Sequence, residues 1–118
     1  MILHIIGRAD WAAARTAGAI RPAAGAPFVH CADLGSVRIP ANKFYAGHTD
    51  LLLLVIDPAL AGSPVRWEPG DPPEPDGPWF PHVYGPIPVP AVVAEHEFAP
   101  AADGRFELPE SLARPRAT

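Results

Sequence analysis

Three of the five histidines lie inside short apolar runs: His4 in MILHII, His30 in PFVHC and His82 in WFPHVYGPIPVP. Imidazole is a poor filler for an apolar strand, because its ring nitrogens need hydrogen-bond partners once they leave water. Three such residues, with Trp67, Glu68 and Tyr84 in similar settings, point to a half-buried pocket lined by polar groups. Aromatic rings beside imidazole suit the stacking of a planar ligand and acid or base chemistry near neutral pH. Glu68 follows Trp67 directly and could orient a ribose hydroxyl or act as a base. A surface carboxylate paired with an arginine is an equal alternative. For His4 and His30 the alternative is a core imidazole bonded to backbone carbonyls. For Trp79 and Phe80 the preferred reading is a packed loop anchor at the edge of the core.

Period-two alternation sets His4 on one strand face with Ile2 and Ile6, and His30 on one face with Phe28. If the two strands are neighbours, both imidazoles open into one cleft. The same alternation turns Cys31 away from His30, which denies the thiol its nearest base. His4, His30 and His82 are conceivable zinc ligands, but the chain has no His-x-x-x-His pair and no pair of cysteines, so no metal site is assigned. Neither a phosphate loop nor Gly-x-Gly-x-x-Gly is present. His48 reads as a solvated loop residue, and Asp50 and Asp57 as turn and cap residues.

The elements that must position these groups alternate at first. Ile2 to Ile6 predicts a buried strand, then Asp10 caps an alanine-rich helix over Trp11 to Ala17, closed by Gly18. A very short strand at Ala19 to Arg21 and a second clear one at Phe28 to Cys31 follow. Two helical pieces are expected near Asp33 to Ile39 and Pro40 to Ala46, because proline interrupts helical hydrogen bonding. Leu51 to Ile56 is an unbroken aliphatic run and predicts a central strand covered on both sides. Val65 to Glu68, Val83 to Tyr84 and Ala91 to Phe98 complete the strands, and proline-rich Pro69 to Pro81 reads as a long loop or flap.

At 118 residues the chain is long enough for one core and too short for two. A net charge of -4 argues against binding the phosphate backbone of a DNA duplex as the main business, since that needs a basic face. A small nucleotide is not excluded, since a few backbone amides and one arginine hold it. The single Cys31 rules out an intrachain disulfide and suits a reducing compartment. The aliphatic run is far short of the roughly 20 residues that span a bilayer, and no signal-peptide pattern follows Met1. The expectation is a cytoplasmic protein with no membrane partner.

These residues resemble a small bacterial family, the domain of unknown function 952 family. The resemblance rests on Leu3-His4-Ile5 followed by Ala9-Asp10-Trp11, on Phe28-Val29-His30-Cys31, and on Ala41 to Gly47. It continues through Thr49-Asp50-Leu51, Ile56-Asp57, Val65-Arg66-Trp67-Glu68 and Phe80 to Pro86, covering about residues 1 to 98. The order of elements is similar to the split-sheet fold of ADP-ribosyltransferases and RNA 2′-phosphotransferases, where a first-strand histidine and a later polar residue hold NAD. On that likeness His4 matches the first-strand histidine, and His30 the histidine of the His-hydrophobe-Ser segment. Ile6 and Ala32 stand where those patterns carry hydroxyl residues.

The expected fold is therefore α+β, a compact mixed or antiparallel split sheet with two short helical regions, ADP-ribosyltransferase-like. Residues 1–98 form a single globular domain, and 99–118 a loosely attached C-terminal tail. The leading functional reading is a cleft for NAD or a related nucleotide, with ADP-ribosyl or phosphoryl transfer. In it His4, His30, Trp67 and Tyr84 bind the ligand, while His82 or Glu68 serves as acid or base. The rival is a non-catalytic binding module for a small metabolite or a protein partner.

Overall fold

A computed structural model describes residues 1–70 and 72–113. Its elements run β1 (Ile2–Gly7), α1 (Arg8–Ala17), β2 (Ala19–Ile20), β3 (Val29–His30), α2 (Arg38–Phe44), β4 (Leu51–Ile56), β5 (Val65–Pro69), β6 (Trp79–Val83), β7 (Ile87–Pro88), β8 (Val92–Phe98) and α3 (Glu110–Ala113). The class is α+β, and every strand pair is antiparallel.

The aliphatic run becomes β4, the middle strand of a sheet ordered β1-β4-β8, and all its residues are buried. Alternation sends its side chains into two cores. Leu52, Leu54 and Ile56 join Ile2, Ile6 and Trp11 on one face. Leu51, Leu53 and Val55 join Leu3, Ile5 and Phe98 on the other. A strand with no polar face has only this solution.

A second three-stranded sheet is ordered β3-β6-β5, and β2 pairs separately with β7. The two larger sheets meet at a single bridge, where Leu3 and Ala32 exchange both backbone hydrogen bonds at 2.8 Å. Elsewhere along this seam β1 and β3 are unpaired, so the sheet is split beside His4 and His30.

Several boundaries differ from the sequence reading, each for a local reason. Helix α1 begins at Arg8, one turn earlier than an Asp10 cap allows, and Asp10 lies in its first turn, where a carboxylate suits the helix dipole. Gly18 closes it as expected, at φ 92 with its N–H on the Ala14 carbonyl at 2.8 Å. In place of two helical pieces there is one, α2, preceded by a turn in which the Ser36 hydroxyl donates to Asp33 at 2.8 Å. Pro40 lies within the first turn of α2, where backbone N–H groups have no intrahelical partner to lose. Strand β6 begins at Trp79, inside the stretch read as loop. Pro81 keeps its place in the ladder through its carbonyl, which accepts the Cys31 N–H at 3.1 Å.

The segment after Phe98 is not a loose tail. Phe106 is fully buried, packs its ring 5.0 Å from that of Phe98, and is tied to α2 by Asn42. The Asn42 side chain accepts the Phe106 N–H at 2.8 Å and donates to its carbonyl at 3.1 Å. Leu108 and Leu112 extend the contact with the second core. Residues 114–118, the rest of the expected tail, lie outside the described residues. Among the described residues no helix is long and apolar enough to cross a membrane.

Candidate functional site

The strand register decides which side chains share a face. In the β3-β6-β5 sheet His30 and Arg66 both pair with His82, and Glu68 pairs with Phe80. By alternation one face carries Phe28, His30, His82, Tyr84, Arg66 and Glu68. The other carries Val29, Val83 and Val65 into the first core. Trp67 pairs with Pro81 and lies on that second face, 47% exposed. It is turned away from the histidines, so the expected ligand-binding role for Trp67 does not fit its position.

His82 is the hub of the face. It is buried, and its Nδ1 donates to Glu68 Oε1 at 2.9 Å. The Tyr84 hydroxyl donates to the same oxygen at 2.5 Å. An ionised carboxylate only accepts, so this contact places the imidazole proton on Nδ1 and leaves Nε2 as the other ring nitrogen. The Tyr84 and His82 hydrogen bonds hold the Glu68 carboxyl below its ordinary range, and the same bond to Glu68 pushes the Tyr84 phenol up. The Arg66 guanidinium lies 5.0 Å above the Tyr84 ring and completes the cluster. Phe28 covers His82, its ring stacked at 3.9 Å and 10°. His30 meets Phe28 edge-on at 4.7 Å and His82 at 5.5 Å.

His4 approaches from the first sheet. Its Nδ1 donates to the His30 carbonyl at 2.7 Å, across the seam between the sheets. This is the contact expected of a core histidine, yet it also fixes the tautomer and leaves Nε2 as an acceptor. Burial holds the His4 pKa below its ordinary value; the hydrogen bond to the His30 carbonyl opposes the shift, and the charge of His30 adds to it. His4 is therefore a neutral imidazole with one committed nitrogen.

A cleft of about 680 Å³ opens along the seam, within the size range of small-molecule sites. His4, Phe28, His30 and His82 line it, together with Lys43 from α2, Tyr45 directly after that helix, and Glu74 from the loop between β5 and β6. Glu68 and Tyr84 do not line it. They act on His82 from its Nδ1 side. Three histidines thus line one cleft, while the carboxylate and phenol bond to each other beside one of them.

Cys31 is buried, and burial pushes its thiol up to about 12, which leaves no thiolate near neutral pH. His96 bonds the Ser111 hydroxyl at 2.7 Å, and His48 packs edge-on to Tyr45 at 5.4 Å. Asp57 accepts the Ala59 N–H at 2.9 Å, the cap role read from its place before Pro58. Among the described residues no group of three His, Cys, Asp or Glu is placed to share a metal ion.

The comparisons with known proteins bear on this arrangement. The family profile described as "Protein of unknown function (DUF952)" matches residues 5–95. The chain belongs to this family. The match spans β1 through most of β8 and includes every histidine of the cleft except His4. Protein CC0527 of Caulobacter crescentus has a similar crystal structure, with 30% identity and a TM-score of 0.82 over 96% of this chain and 98% of that one. Its solution structure gives 31% identity and a TM-score of 0.76, over 95% and 96%. These neighbours support the α+β family fold and bring no ADP-ribosyltransferase with them. The search of curated proteins returns no match.

Sequence reasoning overlooked part of the cleft lining. Lys43, Tyr45 and Glu74 gave no signal of their own, because each stands in a segment that reads as surface helix or loop. Phe28 was legible as a strand residue, but not as the cover on His82.

Proposed function

We propose that the cleft binds a small metabolite with a planar group and hydroxyls, and that NAD or a related nucleotide is the class it suits best. The reading is carried by one observation: His4 and His82 each commit Nδ1 to a protein acceptor, leaving Nε2 as the nitrogen a ligand can use. Neutral His4 is an acceptor for a hydroxyl such as that of a ribose. The aromatic contact falls to Phe28, since Trp67 and Tyr84 lie outside the cleft. For ADP-ribosyl or phosphoryl transfer His82 is the acid or base. Glu68 and Tyr84 are positioning residues that fix its tautomer, as a carboxylate does for imidazole in general acid–base pairs.

One observation favours the rival, a non-catalytic binding module: Phe28 lies flat on His82 and shields it. The two readings agree on the cleft and differ on turnover. Amide chemical shifts of labelled protein, titrated in turn with NAD, ADP-ribose and nicotinamide, test the cleft itself. Saturable shifts at His4, Phe28, His30 and His82 are expected. Silence up to millimolar ligand would remove the nucleotide reading. Binding without any turnover of NAD would leave the module.

A further inference from the structure

The lining of the cleft also carries a charge pair with no part in the reading above. Lys43 stands in the last turn of α2, and its Nζ meets Glu74 Oε1 at 2.8 Å. Both residues line the cleft, one from the helix and one from the loop between β5 and β6. The Lys43 hydrogen bond and charge hold the Glu74 carboxyl below its ordinary range.

The backbone presents this carboxylate deliberately. Glu74-Pro75-Asp76-Gly77 is a tight turn, closed by the Gly77 N–H on the Glu74 carbonyl at 3.0 Å. Proline fixes its second position, and Asp76 takes the third at φ 60, a left-handed conformation uncommon outside glycine. A Cβ at position 77 would come within 3.1 Å of the Glu74 carbonyl oxygen, tighter than an ordinary contact, so a side chain there would press on the turn. The result is a defined turn whose first side chain reaches a cation inside the cleft.

Both partners are partly solvated, with side-chain exposures of 40% and 62%. Ion pairs of this kind are weak and exchange readily. A phosphate offers more acceptor oxygens and more charge than a carboxylate, and it competes well for an ammonium group. A tethered carboxylate keeps a high effective concentration at Lys43. Stray anions are held off, and an anion gains the site when the rest of its molecule is also bound.

We propose that Lys43 is the anion-binding group of the cleft, and that Glu74 occupies it until a ligand's phosphate or carboxylate takes its place. The proposal rests on the reading of the cleft as a ligand site and adds that its ligand is anionic. The specificity then has two parts: hydroxyl recognition at the histidines, and anion exchange at Lys43.

The test uses inorganic phosphate and acetate as probes, followed by the amide shifts of Lys43, Phe44 and Gly77. Wild type should show saturable, millimolar binding of at least one anion, and the better of the two identifies the anion class. Glu74→Gln should tighten that binding about three- to fivefold by removing the internal competitor. Lys43→Gln should abolish it, alone and combined with Glu74→Gln. Unchanged or weaker affinity in Glu74→Gln overturns the proposal, as does binding that survives Lys43→Gln. Phosphate exchange without any NAD, ADP-ribose or nicotinamide shifts would remove the nucleotide reading and leave this one. Nucleotide binding with identical anion affinity in wild type and Glu74→Gln would do the reverse.

Discussion

His4 is held neutral by burial while its Nδ1 bonds the His30 carbonyl, and this has a measurable cost in acid. In the unfolded chain its imidazole takes a proton at about pH 6.5. In the folded chain the pKa is lower, so between the two values the unfolded state binds the extra proton. The contribution of His4 to stability is therefore complete above pH 6.5 and is lost as the pH falls below it. The loss continues until the folded value is reached. One proton corresponds to a slope of at most about 1.4 kcal/mol per pH unit. His4→Asn removes the titration but keeps an N–H able to reach the His30 carbonyl. Urea midpoints at pH 7.5, 6.5, 5.5 and 5.0 should then fall less steeply in the variant than in wild type. The difference between pH 6.5 and 5.5 is at most about 1 kcal/mol, because the unfolded imidazole is already half protonated at pH 6.5, or roughly 3–6 °C in Tm for a chain of this size. The carboxyls with lowered pKa, Glu68 and Glu74, lose their contributions only at more acid pH and do not enter this window. Superimposable slopes for wild type and variant would refute the assignment of a neutral His4. The same variant should bind a hydroxyl-bearing ligand less well at every pH, since it lacks the Nε2 acceptor.

Two further outcomes follow from packing. Phe28→Ala removes the ring stacked on His82, and diethyl pyrocarbonate should then modify His82 several times faster than in wild type, with about 3 kcal/mol lost by urea unfolding; equal rates would show that Phe28 is no cover. Phe106→Ala deletes a fully buried ring that packs on Phe98 and should cost about 3–5 kcal/mol, whereas a loss below about 1 kcal/mol would return that segment to the status of a tail.

The parts of the fold with strong local signals were legible before the structure. Leu51 to Ile56 has no polar face, so burial on both sides was the only economical outcome, and β4 is buried throughout. Gly18 closes α1 because the left-handed position there suits glycine. The alternation of Ile2, His4 and Ile6, and of Phe28 and His30, gave each histidine its strand face but left open whether the two strands are neighbours, and the single bridge between Leu3 and Ala32 supplies that. Proline has two meanings that local sequence does not separate. Pro40 reads as a break yet lies in a first turn; Pro81 reads as loop yet holds its place in β6 by its carbonyl. The segment after Phe98 lacked hydrophobic periodicity, so a single buried Phe106 and one asparagine that ties it to α2 left no pattern to read.

By itself the sequence determined the central strand β4, which side chains share a face once a strand is placed, and that several imidazoles must find partners inside apolar surroundings. Those properties depend on residue type and a period of two, both of which are local. Tertiary structure decided how the site is wired. Glu68 and Tyr84 address the Nδ1 side of His82, Trp67 faces away, and Lys43 and Glu74 pair in the lining of the cleft. Each of these depends on the register between β5 and β6 or on the docking of α2 and a proline-rich loop. A slip of one residue in that register would send Glu68 to the other face and bring Trp67 to His82. No local pattern in Val65-Arg66-Trp67-Glu68 chooses between these outcomes; the choice comes from burying Val65 with Val29 and Val83 in the first core.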